Sequence, residues 1–148
     1  MTSIEKLYQE AYDNEIHIVD ASYSNTKKAA ACIRDEIKVL VIDKKSIHTS
    51  AEKRVILAEE LMHFETGLMY QLDDDCNTYA KRLERSKIES WNMRHVVRRY
   101  LPSNDIQRLI DKGIEHNYEM AEMLEVTEDF LSFAIDYYML KDELIIAS

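Results

Sequence analysis

The pattern of apolar and polar residues is strand-like in three segments of the first third of the chain. EIHIVDA at 15–21 has the alternation of a half-buried strand. AAACIR at 29–34 and IKVLVID at 37–43 flank Asp35 and Glu36, which predicts two strands joined as a hairpin. The pattern therefore predicts a small sheet of about three strands.

Helical patterns precede and follow this sheet. TSIE at 2–5 and TSAE at 49–52 both have the spacing of a capping box, in which the first and fourth side chains satisfy N–H groups of a helix's first turn. They predict one helix that ends at about Asn14 and another that ends at about Tyr70. Further helices are expected at about 76–100, 103–112, 116–124 and 127–142, with loops at 22–28 and at Asp73-Asp74-Asp75.

The number of turn-forming residues bears on the fold class. The chain has only two glycines and one proline, which favours long helices over a sandwich of many strands. Its 148 residues fit one domain of ordinary size. We therefore predict an α+β fold, mostly helical, as a single domain over residues 1–148. Residues 1–70 would hold the first helix, the sheet and the second helix, and residues 71–148 would be helical.

Composition and charge exclude several classes of protein. The formal charge of −9, from 19 basic and 28 acidic residues, disfavours binding to a phosphate backbone. No apolar run approaches the roughly 20 residues of a membrane-spanning helix, and the N-terminus lacks the regions of a secretory signal. We therefore expect a cytoplasmic protein without nucleic-acid or membrane partners. Cys32 and Cys76 match no CxxC spacing and are expected to be reduced thiols without a function.

The candidate chemistry lies in LAEELMHFETG at 57–67. Its EELMH segment is the zinc-protease signature HExxH with Glu59 in place of the first histidine. At about 100° per residue, Glu59, Glu60 and His63 share one sector of the helix, separate from the main apolar stripe. Residues at i and i+4 can bind one metal ion, and a glutamate between them can act as general base. Because a carboxylate oxygen is an accepted zinc ligand, an altered zinc site is chemically possible.

Two other interpretations of EELMH stay open at this point. A glutamate and a histidine four residues apart also form an ordinary solvent-exposed pair, worth about 0.2–0.5 kcal/mol. The segment could equally be the remains of a metal site. In a functional site, the charged carboxylate of Glu59 would leave the ion closer to neutral than a histidine does. Catalysis would then be weaker or shifted to another metal.

The stretch TSAEKRVILAEELMHFETG at 49–67 resembles the ImmA/IrrE metallopeptidase family, particularly its phage and mobile-element members in low-GC Gram-positive bacteria, whose helix reads approximately EKxxxLAEELGHxxT. The resemblance continues before the helix in IKVLVIDKKSIHTSAEK and after it in GIEHNYEMAEMLEVTEDFLSFAIDYY at 113–138. It implies a compact zincin-like domain that holds a zinc ion (Zn²⁺). It also implies that the protein cleaves a helix-turn-helix repressor that keeps a mobile element silent, or relieves the repression in another way.

The resemblance also implies roles for individual residues. Glu59 falls on the first metal ligand, His63 on the second and Glu60 on the general base. The family's third ligand is an acidic residue on a later helix that ends in a proline. That helix resembles IESWNMRHVVRRYLP, and spacing back from Pro102 places Glu89 at the ligand position.

Several alternatives for the third ligand remain. His95 would be a substitute ligand or a group behind the ligands, although its arginine-rich helix favours a surface or packing role. The other downstream carboxylates are Asp73, Asp74, Asp75 and Glu84.

The residue before His63 departs from the family pattern. Met62 stands where the family usually has glycine, so its larger side chain would either crowd the backbone or pack into the core.

The leading functional hypothesis is a zinc metallopeptidase that acts on a helix-turn-helix repressor or similar regulatory protein. A second hypothesis, from a different class, is a non-catalytic protein of the same fold that sequesters such a regulator. A third is a component of a toxin–antitoxin pair, since the family also occurs beside helix-turn-helix antitoxins. The oligomeric state has no indication in the sequence.

Overall fold

The computed structural model describes residues 1–21, 28–67 and 79–146, and within these it contains a three-stranded sheet and six α-helices. The predicted α+β architecture with a sheet of three strands is confirmed. The elements are α1 (Ser3–Asp13), β1 (Ile16–Asp20), β2 (Ala29–Arg34), β3 (Ile37–Ile42), α2 (Ser50–Thr66), α3 (Tyr79–Tyr100), α4 (Ser103–Asp111), α5 (Asn117–Leu124) and α6 (Glu128–Leu140).

Some predicted features lie outside the described residues. These are most of the loop at 22–28, the acidic loop at Asp73-Asp74-Asp75, the first residues of the helix predicted from 76, and Cys76.

The sheet has the strand order β1-β3-β2, with β1 parallel and β2 antiparallel to β3. The predicted hairpin is present, and its two turn residues, Asp35 and Glu36, have φ angles of 52° and 67°. A two-residue loop with positive φ at both positions matches the right-handed twist of the paired strands. Leu40 and Ile42 of β3 are fully buried in the core.

The starts of the first two helices follow from their caps. Thr2 forms the complete predicted capping box with Glu5, and the Thr49 hydroxyl accepts a hydrogen bond from the Glu52 N–H at 3.1 Å. The predicted end of α2 near Tyr70 is wrong, because the helix ends at Thr66. Gly67 has a φ of 72° and donates its N–H to the His63 carbonyl, which is a left-handed helix cap.

Helix α2 is central to the packing. It contacts α1, α3, β2 and β3, so that both the sheet and the long helix α3 lie against it. Its buried residues extend around more than one side of the helix: Val55, Leu57, Ala58, Leu61, Met62 and His63. None of the helices in the described ranges combines the length and apolar character needed to cross a bilayer.

Candidate metal centre

His63 of α2 is buried, with only 7% of its surface exposed, and Glu59 and Glu60 are partly buried. A solvent-exposed Glu–His pair would leave the histidine in water. The alternative of an ordinary surface pair is therefore wrong for this helix. The EELMH segment instead places an imidazole and two carboxylates at the edge of the core, where polar groups require specific partners.

Met62, the residue before the histidine, belongs to the core. It is 3% exposed and lies within the main cluster of buried apolar residues. Of the two expectations for its larger side chain, packing into the core is the one observed.

The electrostatic environment of Glu59 is unfavourable for its charged form. Burial raises the pKa of Glu59 first, and the negative charges of Glu60 and Glu89 raise it further, to about 8. The carboxyl group therefore holds a proton at neutral pH unless a cation is present. The carboxyl groups of Glu60 on α2 and Glu89 on α3 thus both act on the partly buried carboxyl group of Glu59.

Glu89 lies on α3 near this position, but its side chain points partly to solvent. It is 56% exposed, and its Oε1 lies 3.7 Å from the Nε of Arg85 one turn earlier. Of the two candidates for the third ligand that the structure describes, Glu84 and Glu89, it is Glu89 whose charge acts on Glu59.

Asn92 joins α3 to the motif helix. Its Nδ2 donates a hydrogen bond of 3.1 Å to the backbone carbonyl of Glu59, and the residue is only 2% exposed. Its Oδ1 is the one buried side-chain polar atom in the described part of the chain that has no hydrogen-bond partner. The sequence did not identify Asn92: its position three residues after Glu89 places both on one face of α3 but does not reveal the contact with Glu59.

The fit of these residues to a metal ion depends on their type and on their arrangement. Within residues 1–21, 28–67 and 79–146, no three His, Cys, Asp or Glu side chains come together as a group that could hold a metal ion. The donor types nevertheless suit a divalent cation, because His63 lies one helical turn after Glu59 on α2 and the charges of Glu60 and Glu89 act on Glu59. The unpartnered oxygen of Asn92 beside Glu59 adds a polar group that the protein alone does not satisfy. The residues therefore fit a cation in chemistry, with Glu89 as the side chain that would have to move.

The other candidate residues have different environments. Glu84 is exposed on α3. The Nδ1 of His95 lies 2.9 Å from the Trp91 carbonyl, and the two rings are 3.9 Å apart, so the imidazole has packing contacts within its own helix. Cys32 is a free, partly buried cysteine on β2.

A basic residue of α3 supports the helices that carry the site. Arg99 pairs with Glu65 of α2, two residues after His63, and with Glu10 of α1. The Glu10 carboxylate also accepts the Tyr100 hydroxyl at 2.9 Å. The hydrogen bond from Asn92 to Glu59 and the ion pair of Arg99 with Glu65 thus join α3 to α2 at two positions.

Comparison with known protein families, with curated proteins and with solved structures found no match.

Proposed function

We propose that this protein is a zinc-dependent metallopeptidase of the ImmA/IrrE type, with a zincin-like fold. Its proposed substrate is a helix-turn-helix repressor or similar regulator of a phage or mobile element. One observation carries this proposal. The family resemblance, with the spacing back from Pro102, implies Glu89 as the third ligand, and the charge of Glu89 acts on Glu59 from a different helix. A surface carboxylate chosen by chance would have no reason to lie at the motif helix.

Glu59, His63 and Glu89 would hold the ion. The first two lie on successive turns of α2, and the third approaches from α3. Binding would require the Glu89 carboxylate to leave the neighbourhood of Arg85 and turn toward Glu59. A cation would also remove the reason for the raised pKa of Glu59, because it would stabilise the carboxylate form.

Glu60 is the proposed general base and, later in the reaction, the general acid. Zinc, when bound, provides Lewis acidity toward water and the substrate carbonyl. The Glu60 carboxylate accepts a proton from a water molecule while the water oxygen bonds to the peptide carbonyl carbon. As the C–N bond breaks, Glu60 returns this proton to the departing amine.

Strand β2 is the proposed guide for an extended substrate. It packs against α2, and no described strand pairs with its outer edge. Its last two residues, Ile33 and Arg34, are exposed. A peptide segment that adds to this edge would be bound by backbone hydrogen bonds, as in other cases of strand addition.

The proposal is tested by zinc content and peptide cleavage. Protein purified without chelator should contain about one zinc per chain. His63→Ala should lose the zinc, whereas His17→Ala, at an exposed position of β1, should retain it. Glu60→Gln should keep the zinc, and its rate of peptide cleavage should fall by at least ~10³-fold. The rate is measured on a peptide library whose products are detected by mass spectrometry. A wild-type protein free of metal under these conditions would refute the proposal.

A non-catalytic role is the second candidate, and the exposure of Glu89 favours it. Glu89 pairs with Arg85, and among the described residues no three metal-ligating side chains form a group, which suits a fold retained for binding. In that case the protein, alone or in a toxin–antitoxin pair, would sequester a regulator. Glu60→Gln separates the two candidates, because a sequestering protein would keep its effect on a helix-turn-helix partner after this change.

A further inference from the structure

Asn92 occupies an unusual position among the buried residues. The described buried polar or charged residues are Asp43, His63 and Asn92. Asp43 caps a short helical turn, where its carboxylate accepts hydrogen bonds from the Lys45 N–H at 3.2 Å and the Ser46 hydroxyl at 2.7 Å. Asn92, in contrast, uses only its Nδ2 and leaves Oδ1 unsatisfied.

The partner of Asn92 is the backbone carbonyl of Glu59, one of the candidate ligands. In an α-helix, the Glu59 carbonyl is also the acceptor for the N–H four residues later, which is that of His63. The Nδ2 of Asn92 therefore contacts α2 at the turn that carries both Glu59 and His63. On its own helix, Asn92 lies three residues after Glu89 and shares its face.

The orientation of the amide follows from this contact. Exchanging the nitrogen and oxygen of Asn92 would place Oδ1 against the Glu59 carbonyl oxygen, and two acceptors cannot hydrogen-bond. Oδ1 therefore stays on the free side of the amide. A buried acceptor without a donor destabilises the fold, so a polar side chain kept there serves something other than packing.

We propose that Asn92 is a positioning residue of the metal centre. Its Nδ2 holds the Glu59–His63 turn of α2 at a fixed distance from Glu89 on α3. Its Oδ1 accepts a hydrogen bond from a water molecule held at the site when the ion is bound. This inference rests on the proposed metal site and extends it to a residue outside the ligand set.

The test is the zinc affinity of Asn92→Leu, in which the side chain keeps nearly the same size and loses both polar atoms. Zinc affinity, measured by competition with a chromogenic chelator, should fall about 10–100-fold. The thermal midpoint of the metal-free variant should equal or exceed that of the metal-free wild type, because the unsatisfied oxygen is gone. Asn14→Leu is the matched control, since Asn14 Nδ2 also donates to a helix carbonyl, that of Glu10 at 2.8 Å. It should leave zinc affinity unchanged.

Asn92→Ala is a second variant, for the case that leucine does not fit at this position. Its zinc affinity, measured well below its unfolding temperature, should fall by a similar factor. If wild type binds zinc and both Asn92 variants bind it equally well, the role of Asn92 is refuted and the metal site stands. A lower metal-free midpoint in Asn92→Leu with unchanged affinity would show a structural role only, which also refutes the inference. If wild type binds no zinc, the proposed function and the role of Asn92 fail together.

Discussion

Polar groups are satisfied to different degrees in two parts of α3: its middle, at Glu89 and Asn92, and its C-terminal end, at Arg98 and the following Leu101. At the C-terminal end, the carbonyl of Leu101 accepts the Tyr138 hydroxyl at 2.9 Å, and Arg98 binds both oxygens of Glu143 at 2.8 and 2.6 Å. In the middle, Glu89 is 56% exposed and Asn92 has a buried oxygen without a partner. The polar groups at the C-terminal end are thus satisfied within the protein, whereas the Oδ1 of Asn92 is not.

This difference separates stability from function along one helix. Burial raises the pKa of Tyr138 to about 12, so the hydroxyl keeps the proton it donates to the Leu101 carbonyl over the whole physiological range. Near Glu89, burial and two neighbouring charges act against the carboxylate of Glu59. Proteins depart from local satisfaction mainly where a function requires it. The middle of α3, at Glu89 and Asn92, is therefore where a ligand is expected.

The largest expected effect on folding is at the C-terminal end of α3. Leu101, which follows the helix, is 1% exposed, and Leu101→Ala should lower the free energy of unfolding by about 2–5 kcal/mol through the lost apolar contacts and the cavity. Leu83→Ala, near the start of α3, removes a side chain that is 43% exposed and should change the free energy of unfolding by less than about 0.5 kcal/mol. Urea denaturation of both variants measures the contrast. Equal losses would contradict the view that the C-terminal end of α3 contributes more to stability than the residues before it.

The second prediction concerns the pH dependence of the metal-free protein. The pKa of Glu59 is about 8 in the folded state and near its ordinary value of 4.5 in the unfolded state, so the folded state binds more protons between these values. Stability from this group is fully present below about pH 4.5 and is lost as pH rises through about 8. The loss should be on the order of 2 kcal/mol, since water reaches part of the carboxylate.

Denaturation of metal-free wild type and Glu59→Gln at several pH values tests this expectation. The glutamine variant should lack this component of the pH dependence and should be the more stable protein at pH 8. Saturating zinc should remove the same component from wild type, because the ion replaces the proton. A wild type and variant with parallel pH profiles would show that Glu59 titrates normally.

Much of this fold could be predicted from local sequence patterns. The strands, the hairpin turn at Asp35 and Glu36, and the helix starts at Thr2 and Thr49 all depend on residues within a few positions of each other. The end of α2 was misplaced because the apolar pattern continues past Gly67. The left-handed conformation of that residue, which glycine adopts at no steric cost, ends the helix regardless of the pattern.

The candidate site was predictable only in part. The spacing of Glu59, Glu60 and His63 on one helix follows from its geometry. The burial of His63 and the contact from Asn92 depend on how α3 packs on α2, which joins residues more than 30 positions apart. Periodicity within a single helix contains no information about such a pairing. For the same reason the partial exposure of Glu89 could not be foreseen.

The third prediction tests the surface of the C-terminal end of α3. Arg98→Ala removes the pair with Glu143 and the hydrogen bond of 3.0 Å to the Tyr137 hydroxyl. Because Arg98 is 46% exposed, the loss in the free energy of unfolding should be only about 0.5–1 kcal/mol. Arg94→Ala, at an exposed position one turn earlier, should have no measurable effect. An effect of Arg94→Ala as large as that of Arg98→Ala would mean that the ion pair adds nothing.

The smallest effect on folding and a large effect on metal binding are expected together at Glu89. Glu89→Gln removes a half-exposed carboxylate whose distance to Arg85 is 3.7 Å, so the free energy of unfolding of the metal-free protein should change by less than about 0.5 kcal/mol. Zinc affinity should fall by at least about 100-fold if Glu89 is the third ligand, because one of three protein donors is weakened. Glu84→Gln, also exposed on α3, is the matched control and should bind zinc like wild type. The reverse result, with Glu84→Gln losing zinc and Glu89→Gln keeping it, would assign the third ligand to Glu84 and leave the raised pKa of Glu59 as a consequence of burial and charge alone.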